Sequence, residues 1–353
     1  MSKAAICVVV PVYKAMATLD RCVESVLAQQ VEGGLTCILV DDGSPDESGA
    51  LCDAWAAKDG RVTVIHQDDL GVSGARNSGL AAADSEFIVF LDSDDALRPG
   101  ALQAALTAQR AAPQDFVVWH YTTDEKDPAA VTADAEPRTQ AGLARLWLDC
   151  LLAMPWNKLY RADLAKQLQF DVQYTLGEDL QFVLDYISLL GQTVPEFGYR
   201  VMTSPLTFYD CSRGGTLSTR YHANYCDIWP KHFAKLNAAC HAAACPAEDM
   251  RPLHRAELQV FAEGVADIMR RDPSPTQRLK GYKAEAALRS PWLRALLERM
   301  KIEHCYSAYY LPCRWRNVGL VCRVDEARRA NAPLYGKLDW AGYYLLLGKM
   351  KRD

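Results

Sequence analysis

Five apolar residues, Phe87-Ile88-Val89-Phe90-Leu91, run without interruption into Asp92-Ser93-Asp94-Asp95. Rich in β-branched and aromatic types, the run suits a strand buried on both faces, as the strands of a parallel sheet are. The carboxylates then fall just past the strand's carboxyl end, where open α/β sheets hold their ligands. Asp92 and Asp94 are two residues apart, so a turn can direct both toward one hard cation. Mg2+ or Mn2+ accepts carboxylate and phosphate oxygens together. The competing reading is an Asp-rich turn whose side chains bond their own backbone. Neighbouring segments decide between the two.

Upstream, Ile6-Cys7-Val8-Val9-Val10 reads as a strand ended by Pro11, and Thr18 can cap a helix from Leu19 to Gln30. Cys37-Ile38-Leu39-Val40 is a second strand, followed by the tight loop Asp41-Asp42-Gly43-Ser44-Pro45 and a helix from about Glu47 to Ala57. Val62-Thr63-Val64-Ile65 is a third. The Gly-rich stretch Gly71-Val72-Ser73-Gly74 leads into a small-residue helix ending near Ala83. Short buried strands alternating with helices predict βαβ units, a mostly parallel doubly wound sheet and right-handed crossovers.

Downstream, a helix to about Arg110 and a strand Phe116–Tyr121 precede the polar, Pro/Ala-rich segment 122–139, which reads as a loop. A helix 141–152, the compact stretch Met154–Tyr160 and a short helix from Ala162 follow. Leu176-Gly177-Glu178-Asp179 opens an amphipathic helix to about Leu190, and Leu206–Tyr209 is the last strand, before the loop Ser212–Thr216. From His222 the pattern is helical, with breaks at Pro246, Pro252, Pro273 and Pro275. The expected organisation is a catalytic α/β domain over residues 1–220 and a helical C-terminal region over 221–353.

A net charge of −5 gives no reason to expect nucleic acid. The charge is uneven. Residues 291–353 hold 12 Lys/Arg and 6 Asp/Glu, a net of +6, which leaves −11 on the first 290. The 12 cysteines include no C-x-x-C pair and several sit in apolar runs. Buried free thiols in a reducing cytosol are therefore expected, rather than disulfides or zinc. The apolar run Ala4–Val10 is too short and too weakly basic for a secretory signal, and no window approaches about 18 consecutive apolar residues.

Three loops leave neighbouring strand ends with polar groups: Pro11-Val12-Tyr13, Asp41-Asp42-Gly43-Ser44 and Asp92-Ser93-Asp94. In a doubly wound sheet they face one crevice. A dinucleotide site would need glycines after the first strand so that backbone N–H groups meet a pyrophosphate. Pro11 stands there and has no N–H. Phosphates in this crevice would instead be neutralised by a metal on Asp94, with Arg76 and Arg213 as available bases. Asp41 can accept from the N–H of a nucleobase.

Taken in order, Val9-Val10-Pro11-Val12-Tyr13, Val40-Asp41-Asp42-Gly43-Ser44, Gly74-Ala75-Arg76-Asn77-Ser78-Gly79 and Phe90-Leu91-Asp92-Ser93-Asp94-Asp95 resemble a bacterial family 2 glycosyltransferase of GT-A fold. Trp156-Asn157-Lys158-Leu159-Tyr160 and Gly177-Glu178-Asp179-Leu180 fit the acceptor-side half of that family. The resemblance covers roughly Ile6 to Ser218. It implies an inverting transferase of surface-polysaccharide type that moves a sugar from a UDP-sugar to a hydroxyl of a glycan or lipid-linked glycan. Pro11 and Tyr13 would flank the uracil, Asp41 would accept from its ring N–H, and Arg76 would lie near the base or phosphates. Asp92 and Ser93 would face the nucleotide, Asp92 touching the ribose or the cation, and Asp94 would coordinate Mn2+ or Mg2+. Arg213, Thr216 and Ser218 resemble the loop closing over the diphosphate. Trp156 and Asn157 would lie on the acceptor side. The Glu178-Asp179 pair would supply the base, with Asp179 favoured and Glu178 the alternative. Two rivals are a sugar nucleotidyltransferase and a non-catalytic scaffold member of the family. The first would want a Gly-rich basic loop near the N-terminus, and the second would more readily have lost Asp94 or Asp179.

Beyond about Ala223 the resemblance lapses. Leu338–Arg352 mixes Trp, Tyr and Leu with basic residues, a composition that suits a helix in an anionic membrane surface as well as a face packed on the helical region. The expected location is cytoplasmic, with peripheral contact on the inner face of the cell membrane as the further reading.

Overall fold

The computed structural model describes residues 3–174, 176–212, 220–332 and 335. The chain divides into two compact units, Met1–Gly214 and Gly215–Asp353.

In the first unit the N-terminal alternation holds: β1 (Ala4–Val12), α1 (Leu19–Leu27), β2 (Leu35–Asp42), α2 (Ser48–Lys58), β3 (Val62–Gln67), α3 (Gly71–Ala82) and β4 (Ser85–Phe90). After them come β5 (Ala96–Leu97), α4 (Ala101–Ala111), β6 (Phe116–Thr122), β7 (Ala135–Thr139), α5 (Leu143–Leu148), β8 (Lys158–Arg161), α6 (Ala162–Ala165), α7 (Glu178–Thr193) and β9 (Gly198–Phe208). One nine-stranded sheet joins them in the order β3-β2-β1-β4-β8-β6-β9-β5, with β7 added on β9.

The β3-β2-β1-β4 half is parallel throughout, as the alternation predicts. β8 then pairs antiparallel with both β4 and β6, and β9 runs parallel to β6 but antiparallel to β5 and β7. The sheet is therefore mixed beyond β4. Several local expectations change with it. β1 continues through Pro11, which is opposite Val40. α1 stops at Leu27, and Thr18 gives its hydroxyl to the Ala15 carbonyl instead of capping the helix. The segment 122–139 is not wholly loop, because Ala135–Thr139 pairs with β9. β9 itself starts eight residues before the predicted Leu206, at Gly198.

The core explains the opening stretch. Ile88, Val89, Phe90 and Leu91 are fully buried, and Val89 and Leu91 join Val8, Val10, Val12, Cys37 and Leu39 in one apolar cluster. On the other face Phe90 meets Phe170 and Phe182 edge-on, at centroid distances of 5.2 and 5.7 Å, while those two rings stack at 3.9 Å. Removal of such side chains from water is the main favourable contribution to this half of the fold.

The second unit is helical: α8 (Tyr225–Ala242), α9 (Ala247–Arg271), α10 (Gln277–Leu288), α11 (Pro291–Ile302), α12 (Tyr310–Arg314) and α13 (Val318–Arg329). Leu258, Phe261, Val265, Leu296, Met300, Tyr309 and Val321 belong to its core. No helix among the described residues is long and apolar enough to cross a membrane. The basic stretch Leu338–Arg352 lies outside the described residues.

Candidate active site

Parallel register brings the ends of β1, β2, β3 and β4 to one edge of the sheet: Val12 is opposite Asp41, Asp41 opposite His66, and Val9 opposite Phe90. β1, β2 and β3 release their polar loops at the same level, and β4 ends three residues lower, opposite Val9. Tyr13 is exposed beside Lys14, and the backbone N–H groups of Lys14 and Ala15 donate to the hydroxyls of Ser44 and Ser48. The first two loops are thereby tied together.

Asp41 is nearly buried and already engaged. Its Oδ1 accepts from the Ser44 N–H at 3.2 Å, and its Oδ2 lies 2.9 Å from His66 Nδ1. Burial pushes this carboxyl up, yet the hydrogen bonds from Ser44 and His66 outweigh it and leave Asp41 below its ordinary value. His66, at the end of β3, is half exposed and bridges Asp41 to Asp53, 3.0 Å from Nε2. Hydrogen bonds to Asp53 and Asp41 raise it above the usual imidazole range. The register opposite Asp41 is the signal that could have found it.

Arg76 reaches the carboxylate turn from the interior of the domain. Gly79, one turn later in α3, lets the helix lie directly on the sheet, since a Cβ there would come 2.3 Å from Val9 Cγ1. This delivers Arg76 into the interior with a side chain only 3% exposed. Its guanidinium lies over the Phe170 ring, donates from Nη2 to Asp92 Oδ1 at 2.8 Å and from Nη1 to Asp179 Oδ1 at 2.5 Å. Burial disfavours the charge, but Asp179 and Asp92 prevail and hold Arg76 protonated. One buried cation thus joins the carboxylate turn after β4 to the first turn of α7, where Asp179 lies 103 residues beyond Arg76 in sequence. Asp179 reaches that position because Gly177 adopts φ 78° immediately before the helix, a left-handed conformation that glycine takes without steric cost. Withdrawal from water raises the Asp179 carboxyl to about 7 against the opposing pull of Arg76. Glu178, its neighbour in the same turn, is partly exposed.

The turn itself is braced from behind. Arg21 donates to the backbone carbonyl of Asp94 at 2.6 Å and to Asp210 Oδ2 at 2.7 Å. Asp92, Ser93 and Asp94 remain partly exposed, and Asp95 is fully buried. Asp95, which had no assigned task, accepts the Asp210 N–H at 3.0 Å and anchors the end of β9 to the turn. Burial, reinforced by Asp92, pushes its carboxyl up to about 9. In the unfolded chain the same group loses its proton near pH 4. The unfolded state therefore holds fewer protons from about pH 4 to about pH 9, and the stability tied to Asp95 declines as pH rises through that window. Asp95→Asn keeps the acceptor for Asp210 and removes this penalty. Its unfolding midpoint should exceed that of the parent at about pH 8, by roughly 2–4 °C for each kcal/mol recovered, and match it near pH 4. A midpoint shift independent of pH would mean that Asp95 is ionised in the folded chain.

The acceptor-side expectations need correction. Trp156 is buried, stacked on Tyr209 with centroids 5.4 Å apart and edge-on to Tyr121. Asn157 is also fully buried. Its Nδ2 donates to the carbonyls of Trp119 and Leu151, and its Oδ1 accepts from Lys158 Nζ. Direct contact with a ligand is therefore closed to Asn157, whose polar atoms are consumed in tying β8 to β6. Lys158, passed over in the sequence, is fully buried with Nζ also on the carbonyls of Leu151 and Met154. Burial lowers it well below the usual amine range. Tyr13, just past the end of β1, is by contrast exposed. Arg213, Thr216 and Ser218 lie outside the described residues.

The model of "Glycosyl transferase family 2" matches residues 7–169, the segment that contains every strand end described above except β9. Residues 7–169 form a family 2 glycosyltransferase domain. The domain is similar to the glycosyltransferase GlyG of Streptococcus pneumoniae, at 39% identity over 124 residues, covering 35% of this chain and 41% of that protein. The chain spans about half the length of the curated relatives it matches. In three dimensions it is similar to residues 1–349 of TarS from S. aureus, solved in complex with UDP-GlcNAc, with a TM-score of 0.61 at 17% identity over 93% of this chain and 92% of that one. It is also similar to the mannosyltransferase PcManGT of Pyrobaculum calidifontis, solved with GDP-Man and Mn2+, with a TM-score of 0.50 at 16% identity, covering 90% of this chain and 87% of that one. At these identities the likeness establishes the GT-A fold of the glycosyltransferase domain.

Proposed function

We propose that the chain is an inverting glycosyltransferase that moves a hexosyl or N-acetylhexosaminyl group from a UDP-sugar to a hydroxyl of a glycan or lipid-linked glycan in surface-polysaccharide assembly. Residues 1–220 would carry the chemistry. The observation that supports it best is the Arg76 bridge, which sets Asp179, a carboxylate with its pKa raised to about 7, one side chain away from the carboxylate turn. Pro11, Tyr13 and Asp41 would receive the uracil, and the loop bearing Arg213, Thr216 and Ser218 would meet the diphosphate.

Asp92 and Asp94 offer only hard oxygen donors, and among the described residues Arg76 engages only one oxygen of Asp92. That set fits Mn2+ or Mg2+. Bound there, the ion would neutralise charge building on the departing diphosphate without a proton donor. Asp179, with a carboxyl near neutrality, is suited to take the proton of the attacking hydroxyl. Attack from the face opposite the diphosphate inverts the anomeric centre.

Release of UDP from a panel of UDP-sugars, with and without Mn2+, tests the reading. Turnover or binding of no nucleotide sugar would defeat it. Asp94→Ala should weaken Mn2+-dependent UDP binding on the order of 100-fold while the fold is kept, as seen by calorimetry. Unchanged affinity would remove Asp94 from the metal site.

A further inference from the structure

The helical unit carries a second set of metal-ligating side chains, remote in chemistry from the hard carboxylates of the transferase domain. His254 on α9 is buried, with Nδ1 2.6 Å from Oε2 of Glu303, the residue that closes α11. His304 next to it adopts φ 55°, unusual for a residue with a side chain, and turns the chain so that Cys305 Sγ comes 3.6 Å from the same Glu303 oxygen. The three ligating atoms lie within 4.8 Å of one another.

The imidazole orientation follows from its neighbours. Asn237 on α8 donates from Nδ2 to the Phe233 carbonyl at 2.8 Å and to Glu257 Oε1 at 2.6 Å, so its Oδ1 is the atom facing His254. That oxygen lies 3.1 Å from His254 Nε2 and accepts from Arg299 Nη1 at 3.3 Å. Two donors converging on one acceptor also account for the 3.3 Å approach of Arg299 Nη1 to Nε2. Nε2 therefore carries the hydrogen, and Nδ1 turns a lone pair toward Glu303. A lone pair and a carboxylate oxygen at that distance need a cation between them, either a proton or a metal ion.

We propose that His254 Nδ1, Glu303 Oε2 and Cys305 Sγ bind one Zn2+. A neutral imidazole, a carboxylate and a thiolate neutralise its two charges, and the mixed N, O and S set favours zinc over Mg2+ or Mn2+. Zinc bonds of about 2.0–2.3 Å place tetrahedral ligands roughly 3.3–3.8 Å apart, so Glu303 has to withdraw from Nδ1 by less than about 1 Å. The hydrogen bond from Nε2 to Asn237 is the outer contact that orients a metal-bound histidine. Glu303 is partly exposed, which leaves a side open for water as the fourth ligand. The site has no part in the transferase reading and stands or falls without it.

The test uses the full chain, free of any histidine tag and stripped with a chelator. It should take up one equivalent of Zn2+ and unfold at a higher temperature with zinc than without. Co2+ in its place should give a thiolate charge-transfer band. Cys305→Ser should lose the band, His254→Gln should lose uptake, and Asn237→Ala should weaken affinity about 10–100-fold. Asp94→Ala and Cys245→Ser should retain zinc, which separates this site from the carboxylate turn and from other thiols. A folded parent chain that takes up no zinc, or uptake that survives both His254→Gln and Cys305→Ser, overturns the proposal. Should either variant fail to fold, Glu303→Gln decides, and an unchanged zinc affinity counts against the site.

Discussion

Asp179→Asn is expected to retain UDP binding and lose transfer by about 10²–10⁴-fold, the usual contribution of a positioned general base. The amide keeps the size of the carboxylate and its carbonyl can still accept from Arg76, so the fold and the bridge survive in outline. What disappears is the atom able to take a proton. In the parent enzyme the rate should fall as pH drops through about 7, where the Asp179 carboxyl gains its proton. That limb should vanish from the residual activity of the variant. Single-turnover transfer across pH, alongside calorimetric UDP binding, measures both. Full activity in Asp179→Asn would transfer the role to Glu178, its partly exposed neighbour in the first turn of α7.

Arg76→Met should be damaging for a different reason. The replacement fills much of the same volume over Phe170 but leaves Asp92 and Asp179 facing each other without the cation that joins them. Loss of one partner from a buried ion pair costs about 3–5 kcal/mol; both carboxylates here are nearly a third exposed, so the loss should fall below that range. Asp179 should then titrate above its present value, since Arg76 pulls it down, and the acidic limb of the rate profile should move to higher pH. Arg76→Lys keeps the charge but cannot reach two carboxylates with a forked donor. It should restore stability more than rate. Denaturant unfolding and pH–rate profiles of the two variants distinguish this from simple loss of fold. An unshifted acidic limb in Arg76→Met would show that Asp179 does not respond to Arg76.

The parallel half of the sheet was readable because buried strands of β-branched residues alternate with helices at short spacing, a pattern that depends on local sequence alone. β7 was not, because Ala135-Glu136-Pro137-Arg138-Thr139 has no apolar alternation and forms a strand only by pairing with β9. The mixed order beyond β4 escaped for the same reason: β8 is four residues long and its direction is decided by partners distant in sequence. Within the site, residue types were legible and their engagements were not. Asp41, Arg76, Asp92 and Asp179 could be named from motifs, but nothing local announces that Arg76 is shared between two carboxylates or that His66 holds Asp41. Trp156 and Asn157 misled because an aromatic–amide pair near a cleft has the composition of a recognition surface whether or not it faces solvent. Only burial distinguishes the two. Cysteine spacing carried no signal for the proposed zinc site, because its candidate ligands come from α9 and from the turn after α11.

Gly79 touches no group that reacts, yet the spacing between α3 and the sheet is set by the hydrogen it carries in place of a methyl. The clearance to Val9 is smaller than a carbon contact allows, so any larger residue must lift the helix, and Arg76 rides on that helix one turn away. Misplacement by about 1 Å can cost on the order of 100-fold in rate. The tolerance of the chemistry is thus written into the back of a helix, on the side the substrate never meets, and a mutational survey confined to the cleft would miss it.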